Sequence, residues 1–326
     1  MIELGSSRVL ITGGAGFIGS HIADQLIGGE RVGQVILLDN LLRGSRANVE
    51  RALATGRAQL VEGDIRDRAL LDRLLDGVDY VFHMAALRIT RCIENPREAL
   101  EVMYDGTFNV AEACVKHHVK KLVAASSASI YGMASTFPTS EDQPPYNNRT
   151  LYGAAKAANE LLYRSFAEMY GLNYAAMRYF NVYGPRMDRE GKYTEVLIRW
   201  YDLLRRNEPP VIYGEGDQTM DFVYVEDVAR ANVLAMKADV TDQVFNVACG
   251  VETSLQQLCE ALIGVMGTRT APRHLPYPTE RKAQDVRRRI ADITKAERLI
   301  GFRAAVPLEE GLRRLVAWLD AGGKAR

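Results

Sequence analysis

The sequence predicts an α/β fold in which a doubly wound parallel sheet carries a smaller C-terminal α/β lobe. In the first half of the chain, short and continuously apolar runs alternate with longer segments of helical periodicity. Strands that are apolar throughout are buried on both faces, which is typical of a parallel sheet covered by helices. The second half is less regular, with loops rich in Gly, Pro and charge between helices. We therefore expect residues 1–180 to form the sheet domain and residues 181–326 the lobe, with some interleaving of segments.

Six strands are predicted, each from a short apolar run bounded by turn residues. Helical periodicity separates them, as in IGSHIADQLI (residues 18–27) and PREALEVMYDGTFNVAEACVKH (residues 96–117). In chain order, the predicted strands are Arg8–Gly13, Gln34–Asp39, Ala58–Asp64, Tyr80–Ala85, Lys121–Ser126 and Tyr174–Phe180.

Composition narrows the classes of partner. The 326 residues include 41 basic and 41 acidic side chains, so neither a nucleic acid nor an anionic membrane is indicated as a partner. The four cysteines form no CxxC pair, which argues against a zinc site or a disulfide framework and fits a reducing compartment. We find no secretory leader and no uncharged apolar run of about 18 residues. We therefore expect a cytoplasmic protein without a bound metal.

A glycine-rich turn follows the first predicted strand. In ITGGAGFIGSH, the spacing of Gly13, Gly16 and Gly19 lets the backbone approach a pyrophosphate, which then sits at the N-terminus of the next helix. Asp39 ends the second predicted strand, twenty positions after Gly19, as a dinucleotide-binding Rossmann fold requires. A carboxylate there accepts hydrogen bonds from the adenosine ribose and repels a 2′-phosphate, so NAD is favoured over NADP. Arg43 is either a phosphate ligand or a solvated loop residue, and Asp39 favours the second interpretation.

Tyr152 and Lys156 occupy positions i and i+4 in LYGAAK and therefore lie on one face of a predicted helix. A phenol has a pKa of about 10, so acting as a base near neutral pH requires about 4 kcal/mol of preferential stabilisation of the phenolate. A lysine ammonium one turn away and a nicotinamide cation can supply it. The hydroxyl of Ser127, at the end of the fifth predicted strand, can relay a proton because it both donates and accepts. Taken singly, the tyrosine–lysine pair is also consistent with a surface helix, and the serine cluster in ASSASIYG with a turn.

Together these motifs resemble those of the extended short-chain dehydrogenase/reductases, and within them the UDP-sugar 4-epimerases of the UDP-galactose 4-epimerase type. The resemblance extends over nearly the whole chain and rests on TGGAGFIG, Asp64-Ile65, HMAA, the serine cluster, YGAAK and RYFNVYGPR. It implies tightly held NAD, oxidation of a UDP-sugar at C4, rotation of the 4-keto sugar about its diphosphate, and return of the hydride to the opposite face. It also implies a homodimer, formed by helices near residues 97–117 and 154–170.

The resemblance also assigns roles to individual residues. Tyr152 would be the base, Ser127 the proton relay with Ser129 beside it, and Lys156 would stabilise the phenolate. The NAD-binding set is implied to be Gly13, Gly16, Phe17, Ile18, Gly19, Asp39, Asn40, Arg43, Asp64, Ile65, Met84, Ala85, Ala86, Arg88, Tyr152, Lys156 and Tyr179. The substrate-binding set is implied to be Ser127, Ser129, Tyr152, Asn181, Arg186, Val211, Tyr213, Lys282, Asp285 and Arg289.

Position 220 departs from the family's pattern. Met220 stands where the family usually has an arginine that binds the diphosphate, so Lys282, Arg281 or another cation must neutralise that group. Arg289 occupies the position that in relatives gates the pocket around the hexose. Pairing of Arg289 or Arg186 with a C6 carboxylate would make UDP-glucuronate a substrate. The alternative, that these arginines bind the diphosphate or form solvated ion pairs, requires no carboxylate on the sugar.

The serine cluster discriminates between reactions. ASSASIYG carries no carboxylate, whereas related 4,6-dehydratases resemble STDEVYG at this point and related UDP-glucuronate decarboxylases carry a glutamate. Without an acid there, reduction is the main fate left to the 4-keto intermediate. We therefore predict epimerisation of UDP-glucose and UDP-galactose, or of UDP-glucuronate and UDP-galacturonate. The alternatives are a nucleotide-sugar 4,6-dehydratase, decarboxylase or reductase of the same family, and a non-catalytic protein, which would usually lack the tyrosine or the lysine.

Overall fold

The computed structural model of the protein describes residues 2–189, 195–277 and 286–323. Its centre is a seven-stranded sheet in which every pair of neighbouring strands is parallel. Helices cover both faces of this sheet, each through its own apolar core. These features confirm the predicted fold class. Across the described ranges, no helix combines the length and the apolarity that a membrane span requires.

The elements of the described ranges are numbered in chain order. The strands are β1 (Arg8–Thr12), β2 (Gln34–Asp39), β3 (Ala58–Glu62), β4 (Tyr80–His83), β5 (Lys121–Ser127), β6 (Tyr174–Tyr179), β7 (Asn181–Tyr183), β8 (Val211–Tyr213), β9 (Thr219–Met220), β10 (Phe222–Tyr224), β11 (Gln243–Val247), β12 (Thr253–Ser254), β13 (Arg273–Leu275) and β14 (Arg288–Arg289). The α-helices are α1 (Phe17–Gly28), α2 (Glu50–Ala54), α3 (Arg68–Leu75), α4 (Ile89–Glu94), α5 (Pro96–Leu100), α6 (Gly106–Lys116), α7 (Leu151–Tyr170), α8 (Val196–Arg205), α9 (Val225–Lys237), α10 (Leu255–Met266), α11 (Thr294–Ile300) and α12 (Leu308–Asp320). A π-helical segment, Glu101–Asp105, joins α5 to α6, and short 3-10 turns lie at Arg46–Val49, Ala128–Tyr131 and Pro145–Asn147.

The central sheet has the strand order β11-β6-β5-β4-β1-β2-β3. Strands β1 to β6 are the six predicted ones: each begins at the predicted residue, and the last residues differ from the predicted ones by at most two. The seventh strand, β11, lies beyond residue 180, outside the range predicted for the sheet, and pairs with β6 at one edge. The strand order reverses between β1 and β4. At such a reversal, the carboxyl ends of the strands leave a crevice in which ligands bind.

Helix α7 shows how the local sequence sets an element that borders this crevice. The helix begins after Thr150, whose hydroxyl accepts a hydrogen bond from Gly153 N at 3.0 Å. It ends at Gly171, which adopts a left-handed conformation with a φ of 71°. Its buried Tyr163 and Phe166 pack with α6 against one face of the sheet. Burial of each such side chain contributes about 1.5–3 kcal/mol to the free energy of folding. This packing fixes the position of the helix relative to β5.

The lobe is built from several separate segments of the chain. Helices α8, α10 and α12 share an apolar core that includes Trp200, Leu258 and Leu315. Between these helices the chain returns to the sheet domain, where β11 contributes Phe245 and α11 contributes Ala296 to the core under α1 and α9. The chain therefore crosses between the two cores at several points.

Candidate active site

A cavity of about 720 Å³ lies between the carboxyl ends of the sheet strands and the lobe. The glycine-rich turn after β1 and the serine-rich turn after β5 both open into it. Most of the predicted site residues line this cavity, namely Gly13, Gly16, Phe17, Ile18, Gly19, Asp39, Asn40, Arg43, Asp64, Ile65, Met84, Ala85, Ala86, Arg88, Ser127, Ser129, Tyr152, Tyr179, Asn181, Arg186 and Arg289.

The glycine-rich turn is closed by contacts that exclude side chains. Gly13 has a φ of 66°, and a Cβ atom there would lie 2.7 Å from Ala85 N. A Cβ atom on Gly16, which immediately precedes α1, would lie 3.1 Å from Gly13 O, and one on Gly19 would clash with the same oxygen. No side chain caps the start of α1. Backbone N–H groups therefore border the cavity at this point, which fits the pyrophosphate of a dinucleotide.

Asp39 anchors the loop that follows β2. Its carboxylate accepts hydrogen bonds from Ala15 N at 3.0 Å and from Leu41 N at 2.9 Å. Burial raises the pKa of Asp39, and these backbone hydrogen bonds oppose the rise. A Cβ atom on Gly44 would lie 2.6 Å from Asp39 Oδ1, so the loop passes close to the carboxylate. The space beside Asp39 suits ribose hydroxyls, and the carboxylate disfavours a phosphate there.

Asp64 is held by an arginine that the sequence did not single out. Arg66 Nε and Nη2 donate to the two carboxylate oxygens of Asp64 at 3.0 and 2.9 Å, and Asn40 Nδ2 donates to it at 3.2 Å. The hydrogen bonds from Arg66 hold the pKa of Asp64 below its usual value. Asp64 therefore stays ionised in the cavity, where the resemblance implies a role in NAD binding.

Two arginines of the cavity wall are paired with carboxylates that follow β7. Arg43 Nε donates to Asp188 Oδ2 at 3.3 Å, and Arg88 lies 3.6 Å from the same carboxylate and 3.4 Å from Glu195. Burial lowers the pKa of Arg43, and the charge of Arg88 acts in the same direction. The two guanidinium groups therefore lie close together on the cavity wall, where they would serve the phosphates of a dinucleotide.

Ser127, Tyr152 and Lys156 meet at the carboxyl end of β5. The Ser127 hydroxyl accepts a hydrogen bond from Ser129 N at 3.1 Å, and the Ser127 and Tyr152 side chains line the same part of the cavity. Lys156 is buried beneath the cavity wall, where its Nζ donates to Ala125 O at 2.6 Å and lies 5.9 Å from the centre of the Tyr152 ring. Burial lowers the pKa of Lys156 to about 8 and raises that of Tyr152, while the neighbouring Ser127 hydroxyl opposes the second shift. The phenol therefore needs further positive charge nearby before it ionises near neutral pH.

His83, at the end of β4, is a neutral imidazole next to the site. Its Nδ1 lies 2.6 Å from Thr12 Oγ1, and its Nε2 lies 3.0 Å from Thr107 Oγ1. Burial lowers the pKa of His83 to about 3, and the charge of Lys156 acts in the same direction. Because both ring nitrogens are engaged, the imidazole ties the end of β1 to helix α6. The glycine-rich turn leaves β1 immediately after this point.

Tyr179 and Asn181 bracket the end of β6. Tyr179 Oη donates to Asn232 Oδ1 at 2.8 Å and contacts Met84 Sδ at 3.3 Å. Burial raises the pKa of Tyr179, so this phenol forms a neutral wall of the cavity. Asn181 Nδ2 donates to Asp221 O at 3.3 Å. The buried carboxylate of Asp221 accepts hydrogen bonds from two backbone N–H groups after β11, at 2.8 and 2.9 Å, which fixes the lobe to the sheet beside Asn181.

A buried ion pair that sequence reasoning missed joins α7 to the sheet. Arg178 on β6 donates to Glu160 through Nε at 2.9 Å and through Nη2 at 2.6 Å, and Ser126 Oγ donates to the same carboxylate at 2.5 Å. Arg178 also donates to Tyr131 Oη at 2.9 Å. Glu160 follows Lys156 by one helical turn, and this spacing in YGAAKAANE is the sequence signal from which the role of Glu160 could have been predicted. The ion pair holds the helix of Lys156 against β6, and the Ser126 hydrogen bond ties the same helix to β5, which ends in the serine cluster.

The predicted substrate residues are only partly brought together. Val211 and Tyr213 belong to β8, which pairs with β13, and neither residue lines the cavity as the described ranges form it. Arg186 lines the cavity, but its Nη2 donates to Asp24 on α1 at 2.6 Å. Outside the described residues lie Lys282 and Asp285.

The model of the NAD dependent epimerase/dehydratase family matches residues 9–248. The chain belongs to this family. A protein of Methanocaldococcus jannaschii, named "Putative UDP-glucose 4-epimerase", is 37% identical over 314 residues, which cover 95% of this chain and 98% of the relative. The solved UDP-glucose 4-epimerase of Thermotoga maritima with UDP-glucose is 36% identical, with a TM-score of 0.88 over 97% of this chain and 99% of that one. The UDP-N-acetylglucosamine 4-epimerase of Methanobrevibacter ruminantium, in complex with UDP-N-acetylmuramic acid, is 34% identical, with a TM-score of 0.91 over 98% and 99% of the two chains.

Members of the NAD dependent epimerase/dehydratase family differ in the reaction they catalyse. A UDP-N-acetyl-α-D-glucosaminuronate decarboxylase of Bacillus cytotoxicus and a dTDP-glucose 4,6-dehydratase of Actinoplanes are each 32% identical, over 95% and 96% of this chain and 97% and 98% of their own lengths. The cofactor is NAD, which is also present in the solved UDP-glucose 4-epimerase of Thermus thermophilus (32% identical, TM-score 0.83, over 95% of this chain and 98% of that one). Three features fit this cofactor: the glycine-rich turn, whose close contacts exclude a Cβ atom, the carboxylate of Asp39, and the paired arginines of the cavity wall.

Proposed function

We propose that this protein is an NAD-dependent UDP-sugar 4-epimerase, an isomerase. The observation that carries the proposal is the turn after β5, where Ser127 and Ser129 face the cavity near Tyr152 and no acidic side chain accompanies them. Elimination of water across C5 and C6 requires an acid and a base at those carbons. Asp188 and Glu195, which share this part of the cavity, are already paired with arginines. Reduction of a 4-keto sugar back to the alcohol is therefore the outcome that the site supports best.

The chain's own residues supply the proton chemistry. NAD, when bound, provides a hydride acceptor for C4 and a positive ring charge that lowers the pKa of Tyr152. Tyr152 accepts the proton of the C4 hydroxyl through Ser127, whose hydroxyl shares this part of the cavity with the phenol and favours its ionised form. Lys156 has a pKa of about 8, so most of it keeps an ammonium charge one turn from the phenol at neutral pH. The proton returns by the same path after the 4-keto sugar has rotated about its diphosphate.

The relatives favour a neutral hexose as the first substrate to test. The proteins of M. jannaschii and T. maritima are both named as UDP-glucose 4-epimerases, so we propose UDP-glucose and UDP-galactose as the leading pair. UDP-glucuronate and UDP-galacturonate are tested beside them, because the cavity wall carries Arg186 and Arg289.

One substrate panel tests the proposal. The protein, purified without added NAD, is incubated with UDP-glucose, UDP-galactose, their N-acetyl forms and UDP-glucuronate, and the product stereochemistry is measured by NMR. We expect the C4 epimer of at least one substrate, formed without added coenzyme and without net NADH. A stable 4-keto-6-deoxy sugar would identify a dehydratase, release of CO2 a decarboxylase, and stoichiometric consumption of NADH a reductase, and each would refute the proposal.

We also propose that the protein forms a homodimer in the cytoplasm. Leu100, Tyr104 and Phe108 are exposed at intervals of four residues along the run from α5 to α6, and Leu161 and Met169 are exposed on the neighbouring α7. Exposed apolar patches of this kind mark contact surfaces, and two helices from each subunit would cover one another. Light scattering should give the mass of a dimer, and Leu161→Asp should give a monomer. All four cysteines are free thiols, as the cytoplasm requires.

A further inference from the structure

The three consecutive arginines that lead into and form β14 have different surroundings. Arg288 Nε and Nη2 both donate to Glu252 at 2.8 Å, in a bidentate pair at the surface. Arg287 lies 3.4 Å from Asp217, where both side chains are mostly exposed. These two arginines therefore form exposed ion pairs, as is typical of charged residues at a protein surface. Arg289 instead faces the cavity.

The guanidinium group of Arg289 has no acid beside it in the part of the chain that the structure describes. No hydrogen bond or ion pair to a described residue engages it, although burial lowers its pKa. Arg289 is half-buried on the cavity wall, and an anion beside a partly desolvated cation stabilises its charge. Other arginines of the cavity wall are each paired with a carboxylate: Arg43 with Asp188, Arg88 with Glu195, and Arg186 with Asp24.

Strand pairing places Arg289 directly beside Met220. Strands β9 and β14 are parallel, and their register pairs Arg289 with Met220. Paired residues on neighbouring strands lie about 4.8 Å apart and send their side chains to the same face of the sheet. Both of these side chains line the cavity. An arginine side chain is long enough to cover that separation, so Arg289 reaches the volume in front of Met220.

We infer that Arg289 binds the diphosphate of the nucleotide-sugar substrate, from the strand next to the one that carries Met220. The inference rests on the proposed function, because it requires a UDP-sugar in the cavity. A diphosphate is present in every UDP-sugar, and its negative charge attracts most strongly a cation that no acid of the chain already neutralises. The side chain of Met220 cannot supply that cation, whereas Arg289 can donate two parallel hydrogen bonds to phosphate oxygens.

Titration calorimetry on the NAD-loaded enzyme tests the inference, with UDP, UDP-glucose and UDP-glucuronate as the probes. Arg289→Met is compared with Arg288→Met, a matched substitution of the neighbouring arginine that Glu252 already pairs. We expect Arg289→Met to weaken the binding of all three nucleotides by about 10- to 100-fold. Arg288→Met should change their binding by less than about threefold. Equal NAD content in both variants would show that the fold is intact.

A second variant tests the shared position. Adding Met220→Arg to Arg289→Met returns a cation to the neighbouring strand, and we expect it to recover at least about tenfold in UDP affinity. No recovery would refute the claim that a side chain at position 220 and one at position 289 reach the same phosphate. Unchanged binding of UDP by Arg289→Met would refute the assignment of Arg289 to the diphosphate. A loss confined to UDP-glucuronate would also refute it, because Arg289 would then bind a sugar carboxylate. If the unaltered protein bound none of the three nucleotides, the proposed function itself would fail.

Discussion

The buried pair of Glu160 and Arg178 provides a quantitative test of how the site is held together. Glu160→Gln removes the carboxylate charge and keeps the shape of the side chain. That carboxylate accepts hydrogen bonds from Arg178 at 2.6, 2.9 and 3.3 Å and from Ser126 Oγ at 2.5 Å, and both side chains of the ion pair are only 9% exposed. Removing one partner of a buried ion pair costs about 3–5 kcal/mol. We therefore expect Glu160→Gln to lower the free energy of unfolding by about that amount.

Urea unfolding followed by circular dichroism measures the loss. With a slope of about 3 kcal/mol per molar urea, the loss becomes a fall of about 1–1.7 M in the unfolding midpoint. Glu168→Gln is the matched control, because Glu168 is exposed on the same helix, and it should cost less than about 0.5 kcal/mol. The double variant Glu160→Gln/Arg178→Met should cost about 2 kcal/mol less than the sum of its single variants, because it leaves no unpaired charge. Equal midpoints for Glu160→Gln and Glu168→Gln would refute the reasoning.

Tyr152→Phe removes the proposed base and should lower kcat by at least about 100-fold, while the purified protein keeps its NAD; turnover at the unaltered rate would exclude that role. The folded His83 ring, with a pKa of about 3, stays neutral at pH values where the unfolded histidine, with a pKa of 6.5, takes up a proton. The free energy of unfolding should therefore fall as the pH drops from 6.5 towards 3, and His83 should account for up to about 1.4 kcal/mol of this fall per pH unit. In His83→Gln, the midpoint of urea unfolding should depend less on pH across that range. Gly13→Ala should cost more stability and more bound NAD than Gly171→Ala, because both glycines have a left-handed φ, of 66° and 71°, but only Gly13 has backbone atoms within 3 Å of the added Cβ. Equal losses for the two glycine variants would assign the effect to φ alone.

The sheet side of the site could be predicted from the sequence because each of its groups sits at the end of a strand or at a fixed helical spacing. Gly13, Asp39 and Ser127 follow apolar runs whose carboxyl ends meet at one edge of a parallel sheet. The lobe side could not be predicted in the same way. Asp188 and Glu195 reach Arg43 and Arg88 only because the lobe packs across the cavity, and an ion pair between distant segments leaves no periodic signal in the sequence.

Strand β11 escaped prediction for a different physical reason. It lies at an edge of the sheet, where its first residues, Gln243 and Val244, are only partly buried. An edge strand does not need the continuous apolar run that marks the central strands, such as β1. Its pairing with β6 is a contact between distant segments, and the short sequence QVFNV does not encode that partner.

The repeated crossings between sheet domain and lobe restrict how the cleft can move. A lobe joined by a single linker can swing about one hinge. Here the chain leaves the sheet domain after β6, returns through α9 and β11, leaves again for α10, and returns through α11 before α12. Each passage adds a fixed point, so wide opening would strain several connections at once. We therefore expect the dinucleotide to exchange slowly and to stay in place through many turnovers, as the proposed return of the hydride to the same sugar requires.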